Sequence, residues 1–316
     1  MFALNTQLIL LIVSKMKLID FFTSQIDKYI FYLWILTRKI SLKKKYYFIC
    51  SYGIGDTLMV CLLLKEFRVR NPGHEICLII KSNHVGIVKM FSSFDQIKEF
   101  KNLPPFFETS DSINLNRPMV LHPSTYFSGN LVDYLGYKGI TLIDVYKIIM
   151  CLPSRVKFDY PKINSMARRK SIEKFNSYCL RKGKTVILAP EAKSSDMLEG
   201  VFWDNLSKEL TDKGFDVACL TINKKNHVTG TTDVEFNLEE SIPFCEEAGY
   251  LISVRSGLCD LISFSSARLF VVYPDVKWHG GSLFDATSIV SMGFNKNVEE
   301  YVYGNRTIVQ LVNSIN

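Results

Sequence analysis

The chain has 316 residues, a formal net charge of +7 and an apolar fraction of 47%. This length allows two domains of about 150 residues each, and the composition is sufficient to build their cores. Residues 1–48 hold eight Lys and Arg against two Asp, which leaves a net charge of only +1 on the rest. A nearly neutral globular part argues against a nucleic-acid-binding protein with a broad basic face.

Residues 1–45 are predicted to form a basic, aromatic and amphipathic helical extension. Their apolar runs, at residues 8–13 and 29–36, are both too short to span a bilayer. Lysines follow each run, which is the reverse of the order in a secretory signal peptide. Aromatic residues beside a lysine cluster are typical of a helix lying on an anionic membrane surface. The alternative is that these helices pack on the protein and the lysines are solvated.

Strand and helix patterns alternate over residues 46–160, which we interpret as an N-terminal Rossmann-like domain. The order indicates a doubly wound α/β domain with a parallel sheet. Strands are predicted at residues 47–50, 75–80, 96–100 and 118–121, and helices after residue 56 and at residues 84–91 and 140–150.

Residues 161–183 have a different character, with a basic helical stretch, and are interpreted as the linker between domains. A second α/β alternation at residues 184–292 predicts a C-terminal domain, and residues 293–316 a helical tail. In this second half, strands are predicted at residues 184–189, 216–221, 250–254 and 269–273, and helices at residues 202–213, 239–247 and 258–265.

A tight turn, Ser51-Tyr-Gly-Ile-Gly-Asp56, joins the first predicted strand to the first predicted helix. Gly53 and Gly55 permit backbone angles that other residues resist. The turn therefore sets the Asp56 carboxylate at a helix start beside the carboxyl end of a strand, where open α/β sheets bind ligands. The alternative role for Asp56 is that of a helix cap or first-turn acid. Leu58 occupies the third glycine position of a dinucleotide fingerprint, so that motif is a weak match.

A second candidate site follows the strand at residues 250–254. Arg255, Ser256 and Gly257 lie at a predicted helix N-terminus, where free N–H groups and the helix dipole attract phosphate. Arg255 offers a bidentate fork for a pyrophosphate. The alternative is an ordinary helix start, capped by Ser256 and with Asp260 in the first turn.

A third candidate site is the segment Pro190-Glu191-Ala-Lys193-Ser194, which follows the first strand of the second half. Lys193 is suited to meet a phosphate, and Ser194 or Ser195 to supply a hydroxyl. The alternative is a solvated polar loop, which is the commoner role of such segments.

The eight cysteines show no paired spacing, and several fall inside apolar, strand-like runs. This pattern predicts buried free thiols in a reducing cytoplasm rather than disulfides or a zinc site. The five histidines are scattered, so the sequence predicts no metal cluster.

Several motifs in this order resemble those of heptosyltransferase-type glycosyltransferases. The N-terminal signature of that family is similar to two segments of this chain, Ser51-Tyr-Gly-Ile-Gly-Asp-Thr-Leu and Leu64-Lys-Glu-Phe-Arg-Val-Arg-Asn-Pro-Gly. The segment that closes the first domain is similar to Leu142-Ile-Asp-Val-Tyr and Cys151-Leu-Pro, and the start of the second domain to Ile187-Leu-Ala-Pro-Glu and Phe202-Trp-Asp-Asn-Leu. The nucleotide-sugar loop is resembled by Leu251-Ile-Ser-Val-Arg-Ser-Gly-Leu-Cys-Asp, although Arg255 replaces the family's Asp and Asp260 stands near its usual His.

The resemblance implies the GT-B fold, in which two doubly wound Rossmann-like domains face a cleft. It implies an inverting, metal-independent transfer of a sugar from a nucleotide-sugar donor to a bacterial surface-glycan or glycolipid acceptor, in lipopolysaccharide, O-antigen or capsule assembly. No cofactor is expected besides the nucleotide sugar, which is a substrate, and no nucleic acid is expected as a partner. Together with the basic N-terminal segment, the resemblance implies a cytoplasmic enzyme that is peripheral on the inner face of the plasma membrane.

The resemblance also assigns expected roles to residues. Asp56 is the expected general base. The donor and its diphosphate are expected to contact Glu191, Lys193, Ser194, Arg255, Ser256, Gly257 and Asp260, and the acceptor side is expected to include Gly55, His122 and Ser124. Two other functions remain open: a nucleotide-sugar epimerase-like enzyme of the same fold, and a non-catalytic binding protein of glycan assembly.

Overall fold

The structure is a computed structural model that describes residues 45–50, 52–100, 119–120, 139–192, 198–220, 227–278 and 281–315. The predicted N-terminal helical extension therefore lies, apart from Lys45, outside the described residues. Among the described residues, no helix has the length and apolar character needed to cross a bilayer.

The first half of the chain forms a parallel sheet in the order β3-β2-β1-β4. Its strands are β1 (Lys45–Cys50), β2 (Glu75–Lys81), β3 (Gln96–Phe100) and β4 (Met119–Val120). Its helices are α1 (Ile54–Arg70), α2 (Val85–Val88) and α3 (Leu142–Ile149), with a short 3-10 helix at Ser82–His84. The apolar run of β1 is typical of a central parallel strand that is covered on both faces.

The second half forms a parallel sheet in the order β12-β9-β8-β5-β6-β7. Its strands are β5 (Thr185–Ala189), β6 (Asp216–Leu220), β7 (Thr232–Val234), β8 (Gly249–Val254), β9 (Arg268–Tyr273) and β12 (Glu299–Val302), and a separate hairpin pairs β10 (Lys277–Trp278) with β11 (Gly281–Ser282). Its helices are α4 (Ser165–Ser177), α5 (Gly200–Asp212), α6 (Leu238–Ala248), α7 (Gly257–Ile262), α8 (Leu283–Thr287) and α9 (Thr307–Ser314). The α/β class and the parallel sheets predicted from the sequence are confirmed.

Two of the strands that were not predicted from the sequence lie at the edges of the second sheet. β7 and β12 are the two edge strands, and both are short and polar, so neither has the apolar run that marks a central strand. The segment predicted as a helical tail consequently contains β12 before its helix α9.

Helix α1 is buried on all sides, which is unusual for a helix that covers one sheet. Residues 57–64 and Phe67 are all buried in it. The reason is that α1 packs on the first sheet and also contacts α7 of the second half. One apolar core therefore continues from Phe48 and Leu62 in the first half to Leu261 and Phe294 in the second.

The connection between the halves is held by both of them. The N–H of Asp159 donates to the carbonyl of Leu62 at 2.9 Å, and that of Lys162 to the carbonyl of Met90 at 2.8 Å. The ring of Phe158 packs edge-on against Phe294 of the second half. The segment before α4 thus fastens the two halves together.

All eight cysteines are free thiols, as the sequence predicts, and six of them are buried. The prediction of burial is wrong for Cys151 and Cys179, which are exposed. Both follow the C-terminal end of a helix with a positive φ, of 51° and 56° respectively. A left-handed residue is common at this position, and it turns the chain outward at the protein surface.

Candidate functional site

Two strand-to-helix turns, one from each half of the chain, meet in the structure. One turn joins β1 to α1, and the other joins β8 to α7. A Cβ atom built on Gly257 would lie 2.4 Å from the amide nitrogen of Gly55, and one built on Gly55 would lie 2.8 Å from Asp260 Oδ2. The two backbones therefore touch, and only glycine at both positions permits so close an approach. The carboxyl ends of β1 and β8 consequently lie on either side of one contact.

Asp56 lies beside this contact, half-buried, in the first turn of α1. Its Oδ2 accepts a hydrogen bond from the Gly53 N–H at 2.8 Å. Its Oδ1 accepts one from the hydroxyl of Tyr146 on α3 at 2.7 Å. Asp56 therefore caps its helix, as the alternative reading expected. A carboxylate has about four acceptor positions, so capping by one of its oxygens does not exclude a role in chemistry.

Arg255 and Asp260 form a buried ion pair at the start of α7, with side chains only 6% and 2% exposed. Nη2 of Arg255 donates to Asp260 Oδ1 at 2.8 Å, and Nη1 donates to Oδ2 at 3.2 Å. The guanidinium also donates to the carbonyls of Thr287, at 3.0 Å, and Ser256, at 2.6 Å. The sequence predicts separate donor-binding roles for Arg255 and Asp260, whereas the structure pairs the two side chains with each other.

The charges at this contact influence one another. Burial raises the pKa of Asp260 to about 6; the Arg255 guanidinium acts in the opposite direction, and the Asp56 carboxylate adds to the increase. Burial also opposes the charge on Arg255, but the Asp260 carboxylate, together with Tyr273 and Cys259, outweighs it and raises the pKa of the guanidinium. Asp56 and Asp260 therefore act electrostatically on each other across the contact between the halves.

Ser256 is half-buried at the N-cap position of α7. Its side chain makes no capping hydrogen bond within the described part of the chain, so the capping role considered for it is not seen. Its hydroxyl lies 3.6 Å from the Sγ atom of Cys259. The place beside the Gly257 Cα, which the sequence analysis assigned to a ligand, holds the Gly55 backbone.

Glu191 reaches the same edge of the second sheet. The parallel pairing of β5 with β8 sets Ala189 opposite Ser253, so the chain leaves β5 beside Arg255. Glu191 is half-buried there. The remaining predicted site residues lie outside the described residues: His122, Ser124, Lys193 and Ser194.

The structure adds polar residues that the sequence analysis did not select. Tyr146 is one of them. It belongs to the segment Leu142-Ile-Asp-Val-Tyr, whose similarity to the glycosyltransferases was a sequence signal that could have pointed to it. The others lie behind the ion pair: the Tyr273 hydroxyl lies within hydrogen-bond distance of the Thr287 carbonyl, which also accepts from Arg255, and of the Glu300 carboxylate. No motif marked Tyr273 or Glu300, because their contact depends on how β9, α8 and β12 pack.

The fold is similar to that of solved glycosyltransferases. E. coli ADP-heptose lipopolysaccharide heptosyltransferase II matches with a TM-score of 0.60 and 12% identity over 86% of this chain and 97% of that one. A glycosyl transferase family 9 protein of Veillonella parvula matches with a TM-score of 0.57 and 11% identity, over 86% and 89% of the two chains. The E. coli heptosyltransferase WaaC with ADP matches with a TM-score of 0.52 and 11% identity, over 86% and 97%.

These matches establish the fold, which is the GT-B arrangement of two α/β halves. They are matches of structure at low identity. No sequence model of a family matches the chain, and no curated protein matches it by sequence.

Proposed function

We propose that this protein is a glycosyltransferase that moves a sugar from a nucleoside diphosphate to a bacterial surface-glycan or glycolipid acceptor. The observation that carries the proposal is the meeting of Asp56, from the first half, with residues 255–260, from the second. Ligands of open α/β sheets bind at the carboxyl ends of strands, and both segments follow such ends. The likeness to lipopolysaccharide heptosyltransferases supports the choice of reaction.

In the proposed reaction, the Asp56 carboxylate takes the proton of an acceptor hydroxyl. The acceptor oxygen attacks the anomeric carbon of the donor sugar as the bond from that carbon to the diphosphate oxygen breaks. Attack on the face opposite the leaving group inverts the anomeric configuration. A carboxylate suits this task because it accepts a proton directly from a hydroxyl within hydrogen-bond reach.

The diphosphate that leaves carries negative charge, which the protein has to stabilise. We assign this to the second half: to the Ser256 hydroxyl, and to Lys193 and Ser194, with Glu191 at the same sheet edge. The sequence has no Asp-x-Asp motif, which is consistent with a transfer that needs no metal ion. Arg255 and Asp260 contribute by holding residues 255–260 in shape through their ion pair.

Titration calorimetry tests the donor half of this proposal. ADP, GDP, UDP and CMP are titrated into the full-length protein, beginning with ADP because a similar structure contains it. We expect one nucleoside diphosphate to bind, and Ser256→Ala to weaken its binding. Ser265→Ala is the matched control, because the Ser265 hydroxyl donates to the carbonyl of Ile262, within the protein.

The outcomes separate the possible functions. Absence of binding for all four nucleotides would contradict the proposal. A nucleotide sugar that changes configuration without an acceptor would indicate an epimerase of the same fold. Binding without turnover in the presence of acceptor glycolipids would indicate a non-catalytic protein of glycan assembly.

A further inference from the structure

We infer that Tyr146 is a positioning residue, whose hydroxyl holds the Asp56 carboxylate in the orientation that receives the acceptor proton. The inference rests on the proposed function, because it takes Asp56 as the base. It adds a residue from α3, an element that otherwise has no part in the proposed chemistry.

The contact between the two side chains is direct. The Tyr146 hydroxyl donates to Asp56 Oδ1 at 2.7 Å, and the Gly53 N–H donates to Oδ2 at 2.8 Å. Since the two donors bind different oxygens and come from different elements, they fix both the position of the carboxylate and the rotation of its plane.

Tyr146 is itself held firmly, because its side chain is 0% exposed. The helix that carries it begins with a capping box, in which the N–H and hydroxyl of Thr141 donate to Asp144 Oδ2. Lys147 donates to Oδ1 of the same carboxylate at 2.9 Å. The phenol ring is therefore fixed in the core, and only its hydroxyl reaches the half-buried Asp56.

The orientation of the Asp56 carboxylate matters because a base has to be closely aligned with the acceptor hydroxyl to take its proton. A reactant misplaced by about 1 Å can slow a reaction on the order of 100-fold. Tyr146→Phe keeps the ring in the core and removes only the hydroxyl, so Asp56 retains its cap and loses the hydrogen bond from Tyr146. We expect kcat to fall roughly 10- to 100-fold while the KM for the donor stays unchanged, since the donor contacts are assigned to the other half.

Tyr46→Phe is the matched control. The Tyr46 hydroxyl donates to Asn71 Oδ1 at 3.1 Å in the same half of the chain, at the amino end of β1 and away from Asp56. It therefore measures what the loss of one tyrosine hydrogen bond does through stability alone. We expect Tyr46→Phe to leave kcat and the KM for the donor unchanged.

The experiment measures release of nucleoside diphosphate from ADP-heptose, UDP-glucose and GDP-mannose, with a lipid extract of Gram-negative bacteria as acceptor. Melting temperatures are recorded for wild type, Tyr146→Phe, Tyr46→Phe and Asp56→Asn. Crystal structures of wild type and Tyr146→Phe provide a readout that needs no activity: we expect Asp56 to keep one side-chain rotamer in the former and to populate a second in the latter.

Each outcome bears on one claim. Wild-type kcat in Tyr146→Phe, or an equal fall in Tyr46→Phe, overturns the positioning role, and so does an unchanged Asp56 rotamer in the crystals. Wild-type kcat in Asp56→Asn overturns the proposed base instead. If none of the three sugars turns over, the proposed donor chemistry fails for these compounds and the crystal structures decide the role of Tyr146.

Discussion

At the scale of single residues, the buried pair of Arg255 and Asp260 determines the shape of the segment that faces Asp56. A buried charge is stable only with a partner that compensates for lost hydration. The pair joins a strand end to a helix start, so both elements depend on it. Loss of this ion pair is expected to lower the stability of the fold first, and to change ligand binding only as a consequence.

Arg255→Met is therefore expected to lower the free energy of unfolding by about 3–5 kcal/mol, because Asp260 stays buried without its guanidinium. The double variant Arg255→Met with Asp260→Leu is expected to recover much of that loss, since no charge then remains buried. Urea unfolding of the three proteins measures both effects. Equal stability of wild type and Arg255→Met would show that the ion pair does not support this segment.

The sequence predicted some of these residues better than others. Asp56 could be found because its position follows from local rules: a strand, a glycine turn and a helix start. The pairing of Arg255 with Asp260 could not be found, because it depends on the angle between β8 and α7. Tyr146 meets Asp56 from 90 residues away, which no local pattern encodes.

At the scale of elements, α3 connects helix capping with the candidate site, because it carries both Asp144 and Tyr146. Burial acts against the charge on Asp144, but the Lys147 ammonium and the N–H and hydroxyl of Thr141 outweigh it and lower the pKa of this carboxyl below its ordinary value of 3.8. A carboxyl with a lowered pKa stabilises the fold above its ordinary pKa, and this contribution is lost as pH falls through the lowered value.

Asp144→Asn should thus lower the melting temperature at pH 7, where wild-type Asp144 is ionised. The difference between the proteins is expected to shrink below about pH 4, as the wild-type carboxyl takes up a proton. Other carboxyls with lowered pKa values, such as Asp95 and Asp216, are the same in both proteins and cancel in the comparison. A difference that stays constant from pH 7 to pH 3.5 would contradict this account of the cap.

Elements were predicted well where burial imposes a pattern. β5 and β8 are apolar central strands, and their positions in the sequence were clear. The edge strands β7 and β12 were missed because an edge strand is held by pairing on one side and needs no apolar run.

At the scale of the whole molecule, the two halves meet through backbone rather than through long side chains. Gly55 and Gly257 allow α1 and α7 to touch at their N-terminal ends. The position of Asp56 relative to the second half therefore depends on glycine, which has no side chain, at both positions. The sequence showed both glycines but not that they face each other, since that depends on the packing of two separate sheets.

Gly257→Ala is expected to destabilise the protein by about 1–3 kcal/mol, because its Cβ would lie 2.4 Å from the Gly55 nitrogen and force the halves apart. Gly200→Ala is the control, since a Cβ there meets no atom within 4 Å in the described structure. Differential scanning calorimetry should show a lower melting temperature for the first variant and an equal or higher one for the second. Equal melting temperatures for wild type and Gly257→Ala would contradict the close contact.

The remaining prediction at this scale comes from the sequence of residues 1–48, which hold nearly all of the net charge beside Phe31, Tyr32 and Trp34. We expect the full-length protein to float with vesicles that contain anionic lipid, and less so as salt is added. Replacing Lys39, Lys43 and Lys44 by Glu should reduce flotation. Unchanged flotation of this variant, or binding that ignores salt and lipid charge, would exclude an electrostatic attachment by this segment.

The central claim, that Asp56 is the base of a sugar transfer, is tested most directly by the transfer rate of Asp56→Asn. Asparagine keeps the size of the side chain and still accepts the Gly53 N–H, but it does not take a proton. We predict that the transfer rate falls roughly 10²- to 10⁴-fold, with little change in donor affinity or melting temperature. A folded Asp56→Asn protein that transfers sugar at the wild-type rate would contradict the account and leave Asp56 as a helix cap alone.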